Sequence, residues 1–224
     1  MWTISEMKEQ GKAAFRANYW PCVIVGFLLS LLVGGLTLSS RTNGQNSENI
    51  SYTVPNLSPG MWFAVAGITT SLFIVIVLLK IFLLNPLSIG CYAFFIENHE
   101  EPAQLDVIKK GFRNYGNVFI TLFMRDLFLV LWTILFLIPG LIKAYSYRMV
   151  PYILAEDTSL SPKECIHLSQ DMMRGNKWNA FVLDLSFIGW YILTGLTLGL
   201  AGIFWTAPYK ASTDAALYLR LSRQ

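Results

Sequence analysis

The stretch NVFITLFMRDLFLVLWTILFLIPGLIKAYSYRMVPYILAE, from Asn117 to Glu156, decides how the chain reads. Asn117 to Ile142 is long and apolar enough to cross a bilayer, which takes about 20 residues. Pro139-Gly140 then interrupts it, and a further apolar run, Ala144 to Leu154, follows at once. Proline and glycine supply the break that a tight turn needs. The stretch is therefore either one crossing followed by a buried or re-entrant segment, or a hairpin that goes out and returns.

The rest of the chain favours the hairpin. Of its 224 residues, 54% are hydrophobic and 14% charged, and mean hydropathy is +0.48. Soluble domains carry about 25% charged residues, so a typical soluble enzyme, a disordered chain and a nucleic-acid binder are all excluded. Further apolar runs are Cys22–Leu38, Met61–Leu84 (with Lys80 inside it) and Ala180–Trp205, the last continuing to Leu221. Net charge is only +3, but its placement is informative. Lys8, Lys12 and Arg16 precede the first run, Lys109, Lys110 and Arg113 the third, and Lys163, Arg174 and Lys177 the last. Arg220 and Arg223 end the chain, whereas Ser39–Gly60 holds one cation, Arg41. The positive-inside rule puts all four clusters on the cytoplasmic side. That requires an even number of crossings between them. Six helices in three hairpins satisfy it, with the second turning at Pro139-Gly140 and the third near Gly199–Gly202. Re-entrant or interfacial placement of the short returning helices, near 141–157 and 203–220, is the alternative. The basic start and apolar stretch lack a small-x-small cleavage site at Leu36–Ser39 and read as a retained signal anchor.

The hairpins share a pattern. Each is entered from an amphipathic helix ending at an asparagine beside aromatic residues: Asn18-Tyr19-Trp20, Asn114-Tyr115, Asn176-Lys177-Trp178. Each returning segment carries Pro86-Leu87, Pro151-Tyr152 or Pro208-Tyr209. Thr3–Glu6 and Ser161–Glu164 have capping-box form. One face of the first amphipathic helix carries Ile4, Met7, Gly11, Ala14 and Phe15. The second carries Leu105, Ile108, Phe112 and Tyr115, and the third Ile166, Ser169, Met172 and Met173. The fold predicted is all-α and polytopic: one membrane domain of six transmembrane helices in three pseudo-repeated hairpins (1–98, 99–158, 159–224), each preceded by an amphipathic interfacial helix. The segment 39–60 is an external loop inserted in the first, and both termini are cytoplasmic. Lys8, Lys12, Arg16, Trp20, Lys109, Lys110, Arg113, Lys177 and Trp178 are the expected contacts to anionic headgroups, at about 1 kcal/mol per cation. A packed cytoplasmic collar that touches no lipid is the competing reading of the same helices.

Ile138–Glu156, Met172–Trp178 and Leu185–Trp190 resemble a family of bacterial integral membrane proteins of unknown function, the DUF975 family, common in Firmicutes. The resemblance covers nearly the whole chain. It also extends distantly to the membrane domain that accompanies some glycerophosphodiester phosphodiesterases, but no catalytic domain is present. It implies a bacterial plasma membrane and a multi-helix fold, and brings no activity with it.

Charge inside the membrane costs about 2.5–3.5 kcal/mol per residue at a helix centre unless paired or hydrated. Besides Lys80, the candidates for an intramembrane polar network are Arg125, Asp126, Lys143, Arg148, Asp184, Lys210 and Asp214. Asp126 and Asp184 on outgoing helices are expected to face Arg148 and Lys210 on returning ones. Such a network either fixes helix packing or lines a polar cavity, open to the cytoplasm, that binds an amphiphile or anion. No HExxH, GxSxG, P-loop or Ser-His-Asp set is present. Glu100-Glu101 and Glu156-Asp157 read as solvated helix ends. Cys22, Cys91, Cys165, His99 and His167 have no metal-ligand spacing. No enzyme activity, cofactor, metal or nucleic-acid partner is expected. The expected function is binding or sensing of lipid or an amphiphilic molecule. Small-solute or proton-coupled transport, and a scaffold or regulatory subunit of another membrane protein, are the alternatives.

Overall fold

The computed structural model of the chain describes residues 2–34, 59–79 and 84–223. Lys80 and most of the 39–60 insertion lie outside them. The described residues are helical throughout, with no strand. In chain order the helices are α1 (Ile4–Ala17), α2 (Tyr19–Gly34), α3 (Pro59–Leu79), α4 (Asn85–Glu97), a 3₁₀ segment (Leu105–Phe112), and α5 (Tyr115–Leu135). They continue with α6 (Leu137–Ser146), α7 (Val150–Glu156), α8 (Pro162–Met172), α9 (Lys177–Leu185), α10 (Ile188–Leu196), a π segment (Gly202–Thr206), and α11 (Ala207–Ser222).

Among the described residues, two stretches, Tyr115–Leu135 and Lys177–Leu196, are long and apolar enough to cross a membrane, and α1 with α2 forms a third candidate bent by 112°. Large apolar side chains stand exposed along α3, α5 and α10, among them Phe63, Ile68, Ile134 and Leu196. In water such a belt would be a liability, and in hydrocarbon it is the expected surface.

The centre is built from α4, α7 and α11, each with a proline in its first turn (Pro86, Pro151, Pro208). There the missing N–H costs no helical hydrogen bond. Phe94, Phe95, Leu154 and Leu217 on these helices are fully buried. The amphipathic segments pack on them: Leu105–Phe112 on α4, α8 on α7, and α1 on α11. The repeat asparagines follow the same order, Asn114 donating to the Thr158 hydroxyl at 3.2 Å with Asn117, one turn on, beside it. Asn18 donates to the Ala103 carbonyl, just ahead of the 3₁₀ segment, at 2.8 Å. Asn117 donates to the Thr158 and Leu160 carbonyls, just ahead of α8, at 2.8 and 2.7 Å. Asn176 accepts from the Trp2 indole, just ahead of α1, at 2.9 Å.

Several expectations need correction. The second hairpin turns at Phe136, which is extended (φ −154°), not after Pro139-Gly140. Pro139 instead sits in the first turn of α6, and Gly140 lets α6 lie against α5, where a Cβ would come within 2.7 Å of the Thr133 Cα. The returning helix near 141–157 is two helices, α6 and α7, with Tyr147–Met149 between them. The second amphipathic segment is 3₁₀, not α. Its N-cap Gln104 makes no side-chain cap, unlike Thr3, which accepts from the Glu6 amide, and Ser161, which forms a full box with Glu164. The apolar face expected at the lipid interface is, in α1, buried inside: Met7, Gly11, Ala14 and Phe15 face the bundle. Leu105 and Phe112 of the 3₁₀ segment do stay exposed.

Candidate functional site

Four of the predicted charges meet. Asp184 comes from α9, Arg148 from the turn between α6 and α7, and Lys210 and Asp214 from successive turns of α11. Arg148 grips Asp184 with both terminal nitrogens, Nη1 to Oδ2 at 2.7 Å and Nη2 to Oδ1 at 2.8 Å. The second nitrogen also reaches Asp214 at 2.8 Å. Lys210 lies 2.5 Å from Asp214 and 2.9 Å from Asp184. Tyr145 of α6 donates to Asp184 at 3.0 Å. The i, i+4 spacing on α11 places Lys210 and Asp214 on one face, and the proline-started α11 carries that face past α9. Two cations and two carboxylates balance to zero, and every charge has two partners. Unpaired, such charges would carry a desolvation penalty of several kcal/mol each.

The other predicted members lie elsewhere. Asp126 does not face Arg148 or Lys210. It pairs with its neighbour Arg125 on α5 at 2.7 Å. Lys143 lies over the Trp132 ring, 5.2 Å from its centroid, and near that of Tyr147. The proposed interface residues also divide. Lys8 turns inward to the Ser186 carbonyl at 3.3 Å and the Phe187 ring at 4.8 Å. Burial lowers its pKa from the usual lysine value. Arg16 reaches over Trp205. Lys109 pairs with Asp106 and Lys110 with Glu97. Lys12 and Lys177 are half-buried, while Arg113, Trp20 and Trp178 are exposed.

A cavity of about 600 Å³ adjoins the charge cluster. Gly26, Leu29 and Ile203 line it, together with Tyr92, Tyr152, Tyr191, Lys210 and Asp214. Its lining runs on to Gly199 and Gly202, in the turn ahead of α11. That turn is unusual. Leu198 and Gly199 both have positive φ (+52° and +92°), and the π segment follows. π turns recur where a helix is re-aimed at a site. Tyr92 and Tyr152 lie with ring centroids 4.6 Å apart. Sequence reasoning marked Pro151-Tyr152 as part of a repeat and missed the tyrosines as lining. A polar ring on a helix otherwise wholly buried was the available signal.

A larger cavity of about 900 Å³ opens at the C-terminal ends of α4, α7 and α11. Its acids are engaged: Glu97 by Lys110, Glu100 by Arg223, Asp171 by Arg174, and Glu156 by the Tyr218 hydroxyl. The smaller cavity, with its unbonded tyrosines, is the better candidate. No group of three or more metal-ligating side chains forms among the described residues.

Residues 133–224 match the family model described as Protein of unknown function (DUF975). The segment contains Arg148, Asp184, Lys210 and Asp214, while Arg125 and Asp126 fall outside it. No curated protein and no solved structure matches the chain. The expected distant likeness to the membrane domain of glycerophosphodiester phosphodiesterases is not shown.

Proposed function

We propose that this is a non-enzymatic, multi-pass plasma-membrane protein that binds or senses an amphiphilic molecule in the cavity beside Lys210 and Asp214. One observation carries the reading: a cavity lined by apolar side chains, tyrosines and an ion pair, within a helical bundle that exposes apolar faces along α3, α5 and α10. Such a space suits a molecule with an apolar tail and a polar head. Mutual satisfaction of all four charges weighs against proton-coupled transport, which needs a group free to titrate. Contacts with anionic headgroups through Arg113, Trp20 and Trp178 accompany this reading.

The architecture we propose is six helices in three repeated hairpins with both termini cytoplasmic. Its support is the order in which the asparagines and amphipathic segments engage. Each repeat ties to the entry of the next, and the third ties to the first through Trp2 and the contact of α1 with α11.

Photo-crosslinking tests the binding reading. A lipid analogue bearing a diazirine on its acyl chain, incorporated into cells and irradiated, should label Leu29, Tyr191 or Ile203. Labelling confined to the outer faces of α3 and α5 would overturn the reading.

A further inference from the structure

We propose that the cavity takes a single-chain amphiphile with a net-neutral, hydrogen-bonding head, an inference that rests on the amphiphile-binding reading above. Tyr152 is only 4% exposed and lines the cavity. Its hydroxyl makes no hydrogen bond among the described residues, and the same is true of Tyr92 and Tyr191. Tyr152 is buried, Tyr92 half-buried and Tyr191 exposed, and none of the three hydroxyls is sealed inside protein. They open to the cavity, where the polar head of a ligand can bond them.

Charge selects the kind of head. The cavity meets Lys210 and Asp214 as an ion pair, and behind it Arg148 and Asp184 complete a neutral set. An anionic head would compete with Asp214 for Lys210, and a cationic head with Lys210 for Asp214. Either gains one contact by breaking another and leaves a charge exposed to low dielectric. A neutral head adds hydrogen bonds to the tyrosines and the outer atoms of the pair without displacing anything. Uncharged hydroxylated heads and zwitterionic heads share this chemistry. Volume limits the tail. At roughly 30 Å³ per water-sized group, a cavity of about 600 Å³ holds about twenty non-hydrogen atoms. That matches one acyl chain with a compact head.

The full-length protein in detergent-free nanodiscs is incubated with four ligands of equal chain length. These are a monoacylglycerol, a lysophosphatidylethanolamine, a fatty acid and an alkylammonium, and binding is read by native mass spectrometry. The proposal expects one equivalent of the monoacylglycerol, the lysophosphatidylethanolamine or both, bound at least about tenfold more tightly than either charged ligand. The member of the neutral pair that binds identifies the head as hydroxylated or zwitterionic. Tyr152→Phe keeps the ring and removes one hydrogen bond, so affinity should fall about five- to tenfold at unchanged melting temperature. Ser30→Trp, at an exposed position on the lining, should abolish binding. Preference for the fatty acid or the alkylammonium, sensitive to Ser30→Trp, would overturn the neutral head and leave the amphiphile reading standing. Retention of a co-purified diacyl lipid with the same sensitivity would overturn the single chain. Binding of every ligand unaffected by Ser30→Trp, or of none, would remove the amphiphile reading itself.

Discussion

Asp184 and Asp126 show how much a carboxylate's surroundings decide its worth. Asp184 accepts from Arg148, Lys210 and Tyr145, with its side chain 32% exposed. Asp126 has only the adjacent Arg125 and is 51% exposed. Asp184→Asn leaves two cations to share Asp214. It should cost about 3 kcal/mol, the lower end for a buried pair because solvent reaches one side. Lys210→Met in that background should restore part of the loss by removing the surplus cation. Asp126→Asn should cost less than about 1 kcal/mol. Melting curves of the purified variants check all three values, and equal losses at Asp126 and Asp184 would contradict this assignment. His99 makes a separate prediction. Its Nε2 lies 2.7 Å from the Ser212 carbonyl, and burial lowers its pKa below the usual histidine value of 6.5. The unfolded chain therefore takes up the proton first as pH falls. The stability His99 contributes is complete above about pH 6.5 and declines below it, until the folded pKa is reached. His99→Gln should flatten the fall in melting temperature between pH 7 and pH 5.

Among elements, the tightest join is that of the 3₁₀ segment with α4. A Cβ on Gly111 would come within 2.0 Å of the Pro86 carbonyl oxygen, a backbone atom that cannot rotate away. Gly116, in the first turn of α5, has open space around it. Gly111→Ala should therefore destabilise by at least about 1–3 kcal/mol, the usual cost of overpacking. Gly116→Ala should be neutral or stabilise by roughly 0.5–1 kcal/mol through helix propensity. Thermal shifts of opposite sign are the expected result. The same elements mark what was legible in sequence. Caps at Thr3 and Ser161, prolines opening the central helices, and the existence of apolar helices could all be read from local pattern, because local chemistry specifies them. The turn at Phe136, the break between α6 and α7, and the 3₁₀ winding could not. The 3₁₀ segment is held by close backbone approaches of Gly111 to Pro86 and of Gly90 to Ile108, contacts between separate elements that no local pattern announces. For the site, Arg148, Asp184, Lys210 and Asp214 were legible as charges too costly to leave alone. Their partners were only half legible, since Arg125 intercepts Asp126 locally. The tyrosines were not, because an aromatic on a buried helix face reads as core until a cavity is found beside it.

For the whole molecule, the proposed three hairpins with cytoplasmic termini make sidedness a direct prediction. In a variant lacking Cys22, Cys91 and Cys165, a cysteine at Leu198, in the turn after α10, should react with an impermeant maleimide added to intact cells. Cysteines at Gln104 and Lys163, beside two basic clusters, should react only after the cells are opened. External reaction at Lys163 would require an odd number of crossings before α8 and would end the hairpin scheme. Binding is tested most directly by an experimental density map of the protein in a lipid nanodisc. The prediction is an elongated density between α2, α10 and α11, with its head within hydrogen-bond reach of Tyr152 and of the Lys210–Asp214 pair. A collapsed cavity in which Tyr92, Tyr152 and Tyr191 bond to the protein itself, or one holding only water, would contradict it.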